Sequence, residues 1–146
     1  MFASFQKNIL RKIRNTLVSL GAFIFLTTGV SAANLTLSPS SVTTTVGKTF
    51  KVDILVNNNI DAINAVSALL SFPKDAVEVT SISKTGSFIT LWAEEPNFSN
   101  DKGTVSLEGV ALNPGFNKAT GNVLSVTFKA KQAGNVTLSI KEGSIL

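Results

Sequence analysis

Ser67–Phe88 reads SALLSFPKDAVEVTSISKTGSF. Two apolar alternating runs, Ala62–Phe72 and Val77–Ser83, flank the short break Pro73-Lys74-Asp75. Alternation with period two predicts half-buried strands, and so short a break predicts a tight connection. In the first run Val66, Ala68, Leu70 and Phe72 share one face, and Ala65, Ser67, Leu69 and Ser71 share the other. Neither face carries a charge, which fits a central strand covered on both sides or a weakly polar face kept for a partner. In the second run Val77, Val79 and Ile82 are apolar, with Glu78 and Thr80 outward. The parity slips near Ser81, which predicts a bulge. This pair is expected at the centre of an all-β sandwich.

The flanking chain has the same character. Asn34–Ser38 is a short apolar run ended by Pro39, and Ser40–Val46 is rich in Thr and Val before a turn at Gly47-Lys48. Phe50, Val52, Ile54 and Val56 alternate with Lys51, Asp53 and Asn57, and a polar loop follows at Asn57–Asn59. Phe88–Trp92 is apolar, and Glu94-Glu95-Pro96-Asn97 then breaks the pattern. Asn100–Gly103 predicts a hairpin turn, Thr104–Leu112 a strand, and Asn113-Pro114-Gly115-Phe116 a type II turn. Leu124, Val126, Phe128 and Ala130 alternate with Ser125, Thr127 and Lys129, and Val136, Leu138 and Ile140 give a further strand after a turn at Gln132–Asn135. Glu142–Leu146 starts a new apolar run and stops, so the reading there is a very short last strand or a fragment. No helical periodicity of useful length follows the first segment. Turn signals recur about every 8–12 residues, as in a sandwich or jelly roll.

The formal charge of +4 is unevenly placed. Lys7, Arg11, Lys12 and Arg14 supply it, and the remaining chain has as many bases as acids. A neutral body lacks the basic footprint of nucleic-acid binding. The basic stretch is followed by apolar Leu17–Leu26 and by the small residues Val30-Ser31-Ala32, the order of a secretory signal with cleavage before Ala33. A membrane span needs about 20 apolar residues, roughly twice this run. The expected organisation is a signal peptide over residues 1–32 and one β-sandwich domain over residues 33–146. The product is then secreted or at the cell surface, with membrane contact only through the leader or a missing segment.

Cys, His and Tyr are absent. A disulfide framework is impossible, and zinc, haem and iron–sulfur sites lose their usual ligands. Serines are plentiful, but no His activates one, and no phosphate-cradling glycine loop occurs. Glu94 and Glu95 are adjacent in sequence and point different ways, which does not suit a glycosidase dyad. Asp53, Asp61, Asp75 and Asp101 lie near expected turns but without the spacing of a calcium loop. No catalytic residue, metal or cofactor is implied. Trp92, Phe98 and Phe116 lie near loops, where they would stack sugar rings if exposed and cap the core if buried.

Leu69–Ser83 (LLSFPKDAVEVTSIS) resembles bacterial cohesin domains, in which an apolar strand ending in an aromatic meets a short Asp/Pro turn and then a strand with a central glutamate. Gly86-Ser87-Phe88, Gly103–Leu107 (GTVSL), Gly121–Lys131 (GNVLSVTFKAK) and Ala133–Leu138 (AGNVTL) continue the resemblance, which runs from about Leu35 to Leu146. It implies a nine-stranded jelly-roll β-sandwich related to cellulose-binding modules, and a non-catalytic module that binds a dockerin domain in a polysaccharide-degrading assembly. The family binds through one sheet face, which maps here to Ala65, Ser67 and Leu69 with Ser106, Glu108 and Val110 on the neighbouring strand. The best-known cellulosomal cohesins often have Asn or Asp where this chain has Ala65 and Ser67. The expected partner is a dockerin-like domain or a polysaccharide, and not nucleic acid. The alternatives are a carbohydrate-binding module and a structural domain of a surface or adhesive protein.

Overall fold

The computed structural model describes residues 33–58 and 62–146. The predicted leader lies outside them. The described chain is all β: β1 (Asn34–Ser38), β2 (Ser41–Thr44), β3 (Thr49–Asn57), β4 (Ala65–Ser71), β5 (Val77–Ser83), β6 (Leu91–Ser99), β7 (Thr104–Val110), β8 (Thr120–Ala130), β9 (Gly134–Thr137) and β10 (Ser139–Ile145). Two four-stranded antiparallel sheets, ordered β1-β3-β8-β5 and β10-β4-β7-β6, enclose the core, and β2 pairs with β9 in a small third sheet.

Ten strands replace the expected nine. The run Val136–Ile140 is divided, because β9 pairs with β2 and β10 pairs with β4. Leu138 marks the switch, its N–H donating to the Ser40 carbonyl at 3.0 Å. The last apolar run is therefore no stub; it is part of a seven-residue strand.

The alternation of the apolar residues builds the core. Val52, Ile54 and Val56 of β3 and Leu124, Val126 and Phe128 of β8 meet Val66, Leu70 and Phe72 from the other sheet, all buried. Each fully buried aliphatic contributes about 1.5–3 kcal/mol. Phe128 links the layers, stacking on Phe50 at 5.6 Å between centroids and meeting Phe72 edge-on at 5.3 Å.

Ser67–Phe88 is divided between the sheets. β4 lies inside one sheet, while β5 is an edge of the other. The Pro73-Lys74-Asp75 break carries the chain across, with Ala76 and Val77 N–H groups donating to the Pro73 carbonyl. The register of β5 on β8 shifts between Val79 and Ser81, where the parity slips.

Three local expectations need correction. Glu94-Glu95-Pro96-Asn97 is not a break; β6 runs through it, and register shifts on both sides of Glu94 absorb the irregularity. β6 is an edge strand, where Pro, charges and bulges are tolerated. The turn at Asn113–Phe116 closes one residue early: Asn113–Pro114 is cis, and Gly115 N–H donates to the Leu112 carbonyl at 3.0 Å, a type VI rather than a type II arrangement. Asp53 stands in the middle of β3 and not near a turn.

Candidate partner-binding face

The six residues read from the sequence as a binding face fall on two hydrogen-bonded strands. β4 and β7 are antiparallel, with Ala65 opposite Val110, Ser67 opposite Glu108, and Leu69 opposite Ser106. Opposed residues in such a ladder project to the same side. The alternate residues Val66, Ala68, Leu70, Val105 and Leu107 point inward and are buried. The candidate positions therefore form three adjoining pairs on the outside of the sandwich.

The flanking strands widen this face into ordered rows. The first row is apolar: Leu146, Ala65, Val110 and Leu91. Leu146 and Ala65 exchange backbone hydrogen bonds at 3.0 Å, and Leu91 pairs with Val110. Leu146 is 74% exposed and Leu91 53%. The next row is Ser144, Ser67, Glu108 and Glu94, and the third is Glu142, Leu69, Ser106 and Asn97. A shallow hollow of about 80 Å³ sits between the first two rows, lined by Ala65, Ser67, Glu108, Val110, Ser144 and Leu146. Sequence reading found β4 and β7 but missed the contributions of β6 and β10. Leu91 and Leu146 were legible only as apolar residues, and their place in the row comes from strand pairing.

The three candidate sugar-stacking aromatics do not form a platform. Trp92 pairs with Gly109 on the inward side of β6 and packs against the core, with Lys84 Nζ 6.0 Å from its ring centroid. Phe116 is partly buried and stacks on Phe88 at 4.1 Å. Phe98 is 37% exposed and opposite Val105. Among the described residues these three rings make no contact with one another.

The carboxylates are dispersed as well. Glu94 faces outward opposite Glu108, whereas Glu95 takes the Lys84 ammonium at 2.7 Å. Asp53 is bound to Lys51 and Ser125 within its own sheet. Asp75 and Asp101 lie in separate turns, and Asp61 is outside the described residues. Among the described residues, no group of three acidic side chains is placed to hold a metal ion.

No family model matches the chain, and no curated protein does. Solved structures do match. The seventh ScaB type I cohesin from Pseudobacteroides cellulosolvens is 20% identical with a TM-score of 0.61, covering 77% of this chain and 76% of that one. A non-cellulosomal cohesin from the hyperthermophilic archaeon Archaeoglobus fulgidus is 18% identical at 0.61, covering 79% and 78%. The structure of a Coh-OlpA–Doc918 type I cohesin–dockerin complex from Clostridium thermocellum gives 9% and 0.61, covering 77% and 84%. At these identities the likeness is one of fold: the described chain is a cohesin-like β-sandwich.

Proposed function

We propose that this domain is a non-catalytic dockerin-binding module, and that the outer face of the β10-β4-β7-β6 sheet is where the dockerin docks. One observation carries the reading: the fold is shared over about three quarters of the chain with cohesins, several of them solved in complex with dockerins. The paired positions Ala65–Val110, Ser67–Glu108 and Leu69–Ser106 support the choice of face. Ala65, Ser67 and Ser106 are small, so a partner can approach the sheet closely at these positions. A stable interface needs about 800 Å² per partner, which one sheet face supplies. The module works outside the cell, exported by residues 1–32 and joined to a polysaccharide-degrading assembly.

The experiment is a pull-down against a panel of dockerins, with and without calcium, using the wild-type domain and Ser67→Arg. Capture by wild type and loss in Ser67→Arg support both partner and face. Capture that Ser67→Arg leaves unchanged removes the face, and no capture from a broad panel removes the partner class.

A further inference from the structure

The two outer faces of the sandwich differ in charge. On the β1-β3-β8-β5 sheet, Lys51 bridges Asp53 at 3.0 Å and Lys129 stands opposite Glu78. Charges there are matched within the sheet. On the β10-β4-β7-β6 sheet the paired outward positions hold Glu94, Glu108 and Glu142 and no base. Lys141 falls in the bulge between Ile140 and Glu142 and has no paired position.

Glu94 and Glu108 are direct cross-strand partners. Like charges so placed oppose folding. Among the described residues neither carboxylate has an ion pair; Lys84, near this edge, is engaged by Glu95. Next to Glu108 lies the shallow hollow, and beside it the apolar row Leu146, Ala65, Val110 and Leu91. The surface thus joins apolar area to unmatched negative charge.

We propose that the partner seated on this face is a protein surface with Arg or Lys side chains around an apolar patch, one cation being received between Glu94 and Glu108. This rests on the reading that the face docks a protein. The same charges disfavour the other occupants. A second copy packed face to face would bring three carboxylates against three, and an anionic membrane would be repelled.

The test is a titration of the ¹⁵N-labelled domain with a short amphipathic peptide of leucines and arginines, and with a twin in which glutamate replaces each arginine. The arginine peptide shifts the amide signals of Ser67, Glu94, Ser106, Glu108 and Val110, and its twin does not. Glu94→Gln/Glu108→Gln weakens the response about fivefold or more, and raised salt does the same. The double variant melts at a higher temperature than wild type, which shows that the loss is not unfolding. An equal response to both peptides, shifts confined to the Lys51–Lys129 face, or an unaltered response in the double variant overturns the proposal. A dockerin lost with Ser67→Arg but held by the double variant with unchanged affinity and salt dependence overturns the charge proposal alone. The predicted peptide response with no dockerin captured supports it and overturns the dockerin identity.

Discussion

Asp53 and Ser125 stand opposite each other on β3 and β8, and the Ser125 hydroxyl donates to the Asp53 carboxylate at 2.6 Å. Burial alone would push this carboxyl up; the Ser125 hydrogen bond and Lys51 at 3.0 Å reverse that and hold it below its ordinary 3.8. A carboxyl lowered on folding adds stability above its unfolded pKa, and that stability is lost as pH falls through the folded value. Ser125→Ala therefore costs about 1 kcal/mol at neutral pH and much less in strong acid, where Asp53 is protonated in both states. Urea unfolding at the two pH values measures the difference. A ¹³C titration of Asp53 should show its pKa rising in the variant; an equal cost at both pH values would show that the hydroxyl acts by packing instead.

Phe128→Ala costs about 3–5 kcal/mol, because the ring is fully buried between Phe50 and Phe72 and its loss opens a cavity between the sheets. Phe98→Ala, at a 37% exposed edge position, costs under about 1 kcal/mol. Thermal unfolding of the two variants should separate them widely.

Gly121→Ala is destabilising by about 1–3 kcal/mol. A Cβ at Gly121 would meet Phe88 Cδ1 at 2.7 Å and Phe116 Cε1 at 2.8 Å, and the two rings are already stacked on each other. Gly86→Ala has open space around its Cβ and is strained only by a φ of +77°. Chemical denaturation of both variants tests whether ring crowding outweighs backbone strain, with Gly121→Ala expected to be the more damaging.

Trp92→Ala lowers stability by about 3 kcal/mol and leaves retention on insoluble polysaccharide unchanged, because the indole packs against the core next to Gly109. Glu95→Gln removes an exposed ion pair with Lys84 and changes stability by less than about 1 kcal/mol. Retention abolished by Trp92→Ala in a domain that is still folded would assign the ring to glycan binding.

Period-two alternation was enough to place Val52, Val66, Val105, Val126 and their neighbours in the core, because burial on one face leaves a direct mark on residue type. Alternation singled out the uncharged outer parity of β4, and the resemblance to cohesins named its β7 neighbours, which the strand pairing sets opposite. It did not reveal which strands lie beside them. β6 carries Glu94, Glu95 and Pro96, which look like a loop in sequence and are tolerated because the strand is an edge. Leu138 reads as one more core position, yet it is where the chain leaves one sheet for another, since alternation is blind to a change of partner. The turn read at Asn113–Phe116 closes at Leu112–Gly115, a one-residue shift that Pro-Gly composition does not register.

The strand switch at Leu138 also sets an order of assembly. β10 follows β4, β6 and β7 in the chain, and with Leu146 just beyond it, it adds Ser144 and Glu142 to rows that those strands have otherwise filled. A chain emerging N-terminus first holds most of its core residues before β10 can close this sheet. Until then β4 is a bare edge with unpaired amides, open to pairing with another nascent chain. The seven residues of β10 thus work as a cover strip: once paired, they close the β4 edge and complete the outer rows of the sheet.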